Sequence, residues 1–74
     1  MSLDLVDADI RHVLRLIGNV SGLEFAVGDG VTAQVTVRLV DVPWDHALQA
    51  ILSAEGLAMR ALPGGRGIEV YDPR

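Results

Sequence analysis

Two histidines, His12 and His46, are the residues of this sequence best suited to metal binding or proton transfer. They stand 34 residues apart, at equivalent places in two related stretches, which suggests a symmetric metal site. No carboxylate-histidine motif surrounds either of them, and both fall off the apolar stripes of their predicted helices. We therefore expect both side chains to be exposed, and we expect no metal site.

Carboxylates are plentiful, but no pair has a spacing that would force two of them together in an apolar pocket, as general acid-base catalysis requires. Asp7 and Asp41 are instead predicted to cap helices. The chain has no cysteine for thiol chemistry, and no glycine-rich phosphate loop opens a helix. "GGRG" at residues 64–67 matches the G-x-x-G loop of KH domains in form, but it joins two strand-like runs and is predicted to be a hairpin turn. The sequence predicts neither an enzyme nor a cofactor.

Length and charge limit the remaining functions. The 74 residues suffice for one domain, residues 1–74, which we expect to belong to a longer protein. The net charge is -4, and the six arginines are scattered, which argues against a nucleic-acid or anionic-membrane partner. No apolar run approaches the roughly 18 to 20 residues that span a bilayer.

The elements that must position any site follow from apolar periodicity. Alternation predicts strands, and recurrence at i, i+3, i+4 and i+7 predicts two helices, each ending at a glycine. Trp44 stands where the chain enters the second helix and is predicted to pack in the core. In order, the predictions are a strand at 2–6, a helix at 8–20, strands at 23–27 and 33–40, a helix from Pro43 to Gly56, and strands at 57–62 and 68–72. This β-α-β-β-α-β-β order predicts an α+β fold.

The chain also contains an internal repeat. Residues 3–27 align with residues 37–61 without a gap, and eight positions are identical, among them Leu5-Val6-Asp7 and Leu39-Val40-Asp41. Each unit reads strand-helix-strand, which excludes the two-helix repeats that share a period of 34. Because one apolar helix stripe cannot be buried alone, we expect the two units to pack about a pseudo-twofold axis.

The outward faces of the first and third strands form the candidate binding surface. Its five residues, called the docking strip below, are Asp4, Val6, Thr36, Arg38 and Val40. A short β surface with mixed charge and exposed valines suits contact with a strand of another chain. Ordinary solvated sheet is the alternative interpretation.

Three stretches carry a family resemblance: "LDLVDADIRHVLRLIGNVSGLEFAV", "VTVRLVDVPWDHALQAILSAEGLAMR" and "IEVYDP". Together they resemble the secretin and TonB short N-terminal domain, and "VPWDHAL" is most similar to the form found in type IV pilus secretins. The resemblance covers almost the whole chain. It implies two helices between a two-stranded and a three-stranded sheet, in a periplasmic domain of an outer-membrane protein of a Gram-negative bacterium.

The function implied is non-catalytic docking. In a secretin of a type IV pilus or a type II-like system, the partners would be the periplasmic domain of an inner-membrane assembly protein or lipoprotein, and the other secretin subunits of the ring. In a TonB-dependent transducer, the partner would be an anti-sigma regulator. A small-molecule-binding regulatory domain built on the same duplication is a third possibility, from another functional class.

Overall fold

The computed structural model describes residues 1–65 and 67–74. In chain order its elements are β1 (Leu3–Asp9), α1 (Ile10–Ser21), β2 (Glu24–Val27), β3 (Gln34–Leu39), α2 (Trp44–Glu55), β4 (Ala58–Ala61) and β5 (Gly67–Tyr71). The predicted α+β class and element order are confirmed. The predicted turn at 64–67 includes Arg66, which lies outside the described residues.

Both helices follow the apolar stripes of the sequence. Leucine, isoleucine, valine and alanine recur at helical spacing on one face, so that a single row of side chains is removed from water. The buried residues are Ile10, Val13, Leu14 and Ile17 on α1 and Ala47, Leu48, Ile51 and Leu52 on α2. Each large side chain so buried contributes about 1.5–3 kcal/mol, and the two stripes therefore supply most of the stability of this small domain. Gly22 and Gly56 end the helices with φ of 76° and 68°, a conformation that costs glycine little.

Two sheets share this core with the helices. β1 and β3 form an antiparallel two-stranded sheet, and β2, β5 and β4 form a three-stranded sheet in that order, with β2 parallel and β4 antiparallel to β5. Leu3 and Val35 enter the core from the first sheet and Val70 from the second. Trp44 is half-buried against the same core, as predicted.

The register of the two-stranded sheet carries the pseudo-twofold symmetry expected from the repeat. Leu3 pairs with Leu39 and Leu5 pairs with Val37. Moving each residue of one pair by the repeat length of 34 positions gives the other pair. Asp4 pairs with Arg38, a pair that the same operation maps onto itself. The pseudo-twofold axis therefore passes between Asp4 and Arg38.

In the part of the chain that the structure describes, neither helix has the length and hydropathy needed to cross a membrane.

Candidate functional site

The two-stranded sheet contains a matched pair of irregularities. Asp7 and Asp41 have φ values of 50° and 53°, the left-handed region that non-glycine residues seldom adopt and that aspartate tolerates better than most. The two residues are repeat equivalents. The register of β1 against β3 shifts between Leu5 and Ala8, which marks a β-bulge at Asp7.

Equivalent hydrogen bonds hold the backbone at Asp7 and at Asp41. The Asp7 amide donates to Thr36 Oγ1 at 3.0 Å, and the Asp41 amide donates to Ser2 Oγ at 3.0 Å. Ser2 and Thr36 are themselves 34 positions apart, so donor and acceptor are both duplicated. Beyond Asp41 the Val42 amide donates to the Met1 carbonyl at 3.0 Å, which continues the pairing past the end of β3.

These contacts correct the prediction that Asp7 and Asp41 cap helices. The α1 N-cap is Asp9, whose carboxylate accepts from the Arg11 amide at 2.8 Å. The α2 N-cap is Pro43, which makes no side-chain capping bond. The first strand was predicted to end at residue 6. The bulge adds one residue to the strand, and β1 continues to Asp9 before the helix begins.

Two valines next to the left-handed aspartates lie in solvent. Val6 is 74% exposed and Val40 is 63% exposed, more than the other large hydrophobic residues described. Each valine precedes a left-handed aspartate, and the two lie on either side of the Asp4–Arg38 pair on the outward face of the sheet. These two valines are the apolar residues of the docking strip.

The centre of the same face is charged. Asp4 and Arg38 are exposed and lie directly opposite each other on β1 and β3. Thr36 is also exposed, and its hydroxyl holds the bulge beside Val6. The structure therefore brings the five residues of the docking strip together on one face: a valine near each end and opposite charges in the middle.

The other candidate residues do not form a site. His12 and His46 are both exposed. Residues 1–65 and 67–74 contain no group of three or more His, Cys, Asp or Glu side chains that could hold a metal ion.

One ion pair perturbs titration near the end of the chain. Arg74 donates to both carboxylate oxygens of Asp72, and these hydrogen bonds lower the pKa of Asp72 below its usual value. The same contact raises the pKa of Arg74. Both groups are exposed and remain charged at neutral pH, so the pair has no acid-base role.

Arg11 and Arg15 are functional candidates that the sequence reading passed over. Both line a groove of about 770 Å³ between α1 and β2. Their spacing of four residues on one helix face was the available signal.

No protein-family model matches the chain. Curated relatives do match: 60 residues are 40% identical to the type IV pilus biogenesis and competence protein PilQ of Neisseria gonorrhoeae, and 62 residues are 42% identical to the fimbrial assembly protein PilQ of Pseudomonas aeruginosa. These matches cover 81% and 84% of the chain but only 8% and 9% of the relatives' length.

Solved structures share the fold. The type IV competence pilus secretin PilQ of V. cholerae superposes with a TM-score of 0.79 at 36% identity, covering 95% of this chain and 16% of that one. The N0 domain of the type II secretin from enterotoxigenic Escherichia coli gives a TM-score of 0.82 at 18% identity, covering 97% and 93%. A structure of the GspC-GspD complex from the same type II system gives 0.68 at 15% identity, covering 96% and 54%; at these identities the last two show the fold alone.

Proposed function

The chain is homologous to the N-terminal region of PilQ secretins, and from that premise we propose that it is a non-catalytic docking module that connects a secretin to inner-membrane assembly components. Such relatives are periplasmic domains of outer-membrane secretins in Gram-negative bacteria. Of the parent proteins that the sequence resemblance left open, these relatives favour the secretin over the TonB-dependent transducer. They equally favour docking over small-molecule regulation.

The observation that carries the proposal is the pair of exposed valines on the docking strip. Strand alternation turns Val6 and Val40 outward, and each precedes an aspartate whose amide is hydrogen-bonded in the same way in both units of the repeat. A surface that exposes two valines on one face is stabilised when another chain covers them. Asp4 and Arg38 between the valines supply the charges that orient the partner.

The partner we propose is the periplasmic domain of an inner-membrane assembly protein or lipoprotein. The relatives named as pilus and fimbrial assembly proteins support an assembly role, and one structure that shares the fold of this chain is a crystal structure of the GspC-GspD complex. The other secretin subunits are the second class of partner. Because this chain spans under a tenth of its PilQ relatives, we expect ring contacts to come mainly from the remainder of the protein and the isolated domain to self-associate weakly.

The test measures the affinity of the 74-residue chain for the periplasmic domain of the inner-membrane pilus assembly protein from the same organism, by calorimetry. Arg38→Glu and Val40→Asp should each weaken binding by about tenfold, because one reverses a central charge and the other places a carboxylate on an apolar anchor. Both side chains are exposed, so the melting temperature should stay near that of the parent.

Val20→Asp provides the matched control. It makes the same change as Val40→Asp at a valine that is 57% exposed on α1, away from the docking strip, and should leave the affinity for the assembly protein within about twofold of the parent. Parental affinity in the Arg38→Glu/Val40→Asp double variant would remove the docking strip from the interface.

A further inference from the structure

The repeat places a groove between helix and following strand twice. The first groove lies between α1 and β2 and has a volume of about 770 Å³; the second lies between α2 and β4 and has about 290 Å³. Every residue that lines the second groove has its repeat equivalent in the lining of the first. The duplication therefore produced the same groove twice. The two grooves can be compared residue by residue, and they differ in two respects.

The first difference lies at the contact between helix and strand. Leu52 lines the second groove and is 4% exposed, whereas its repeat equivalent in the first groove is Gly18. A Cβ at Gly18 would stand 2.9 Å from the Leu23 carbonyl oxygen, so α1 and β2 are in close contact there. Around this contact the first groove is lined by apolar residues that include Leu14, Phe25 and Val27.

The second difference is charge. Arg11 and Arg15 line the first groove, where the repeat equivalents are Asp45 and Gln49. The Arg11 guanidinium donates from Nη1 to the Val31 carbonyl at 3.2 Å, a bond that uses one of its five N–H donors and fixes the group in place. Two arginines at i and i+4 on one helix repel each other slightly, which an anion between them would relieve.

The charges also give the first groove a direction. Glu24 lines it beside Gly22, where α1 ends and β2 begins. Arg11 lies in the first turn of α1, toward Val31, at the opposite end. An occupant therefore places its acidic group at the Arg11 end, away from Glu24.

A strand edge runs along the same groove. β2 is a terminal strand of the three-stranded sheet, paired with β5 on one side. The Gly28 amide donates to the Val70 carbonyl at 3.0 Å, so Gly28 and its alternate neighbours face β5. By the same alternation, the amides and carbonyls of Phe25 and Val27 point to the open edge, where an added strand can bond to them.

From these observations we infer that the first groove binds an extended acidic peptide of a partner protein, which adds to the edge of β2 and places a carboxylate on Arg11 and Arg15. The backbone bonds supply affinity, apolar side chains of the peptide contact the apolar lining of the groove, and the arginines set polarity. This surface is separate from the docking strip on the two-stranded sheet and is the site of a second contact.

The first test is binding of a fluorescein-labelled eight-residue peptide of alternating valine and glutamate to the 74-residue chain, followed by fluorescence anisotropy at low salt. Arg15→Glu should weaken binding by about tenfold, and raising the salt should weaken it in the parent. Gln49→Glu, the equivalent change in the second groove, should stay within about twofold of the parent. A peptide with glutamine in place of glutamate should bind at least about tenfold more weakly.

Equal affinities of the parent and Arg15→Glu, or no binding of the acidic peptide, would overturn the proposal. A second measurement locates the peptide independently of any substitution. Amide hydrogen exchange in the parent should slow at Phe25 and Val27 when peptide is added and should not change at Met59, the equivalent of Phe25 on the β4 edge. Protection at Met59 instead of Phe25 would contradict the choice of groove.

The oligomeric state separates this proposal from self-association. Sedimentation of the chain alone should show a monomer whether or not Arg15 is changed. A concentration-dependent dimer that Arg15→Glu dissociates would assign the first groove to a second copy and refute the partner peptide. Arg38→Glu should leave peptide binding unchanged, so failure of the docking strip and failure of the first groove give different results.

Discussion

Gly18→Ala is a substitution for which the sequence and the structure predict opposite signs. Gly18 lies inside α1, where helix propensity alone favours alanine by about 1 kcal/mol. A Cβ at this position would stand 2.9 Å from the carbonyl oxygen of Leu23 and 3.6 Å from Cδ2 of Phe25. The carbonyl belongs to the backbone leading into β2 and cannot rotate away, so α1 and β2 must separate. Overpacking of this kind costs about 1–3 kcal/mol, which exceeds the propensity gain, and we expect a net loss of about 1 kcal/mol.

Urea unfolding followed by Trp44 fluorescence measures this loss, because Trp44 packs against the core and is the single tryptophan. Asn19→Ala is the control: Asn19 is the next residue on α1, it is exposed, and its replacement should raise stability by about 0.5 kcal/mol. An unchanged m-value would show that both variants unfold from the same compact state. A Gly18→Ala protein more stable than the parent would refute the close approach of α1 to β2.

Two further predictions concern aspartates. Asp9→Ala should lower the free energy of unfolding by about 1 kcal/mol because it removes the α1 N-cap, whereas Asp7→Gly should change it by less than about 0.5 kcal/mol, since glycine accepts a φ of 50°; urea unfolding compares them, and the reverse order would restore Asp7 as the cap. Arg74→Gln should raise the pKa of Asp72 toward its ordinary value by removing the side-chain hydrogen bonds, while the bond from the backbone amide of residue 74 retains part of the lowering, as measured by NMR titration of the carboxyl carbon. The sign follows from the lowered pKa: the pair is intact at neutral pH and is lost as the pH falls through that pKa. An Asp72 pKa that does not move would show that Arg74 is not its cause.

The element order was predictable because it depends on local periodicity. Helical stripes and strand alternation are set by which face of each element is buried, and glycines at positive φ end both helices. The predicted end of the first strand, at residue 6, was wrong for a physical reason. A bulge inserts one residue, so inward-facing residues stand at Leu5 and Ala8, three apart, and alternation is lost where the strand continues.

The same irregularity explains the structural role of the Leu-Val-Asp triplet, the most conspicuous part of the repeat. Leu-Val-Asp occurs at residues 5–7 and again at 39–41, and in both copies the aspartate is left-handed and the valine before it is exposed. In the first copy the left-handed aspartate forms a bulge inside β1, and in the second it follows the end of β3. The identical triplet was therefore available in the sequence as a signal for a shared backbone irregularity.

The exposure of the docking strip was also predictable, since alternation assigns its residues to one face. The first groove was not. Its volume depends on how closely α1 approaches β2, and that distance is set by one glycine against one carbonyl in the folded chain. Apolar periodicity contains no information about such a contact between two elements, because it records only which residues of each element avoid water.

The two residues at the centre of the docking strip distinguish the two orientations in which a partner could bind to this duplicated surface. A face with twofold symmetry offers a partner two equivalent orientations, since rotation about the axis exchanges Val6 with Val40 and Thr36 with Ser2. Asp4 and Arg38 lie on the axis, so rotation exchanges a carboxylate with a guanidinium. The two orientations of a partner therefore differ in the charges they meet. A partner with complementary charges gains from both contacts in one orientation and meets like charges in the other. In the proposed complex the valines therefore supply apolar contact without direction, and the charge pair between them determines the orientation of the partner.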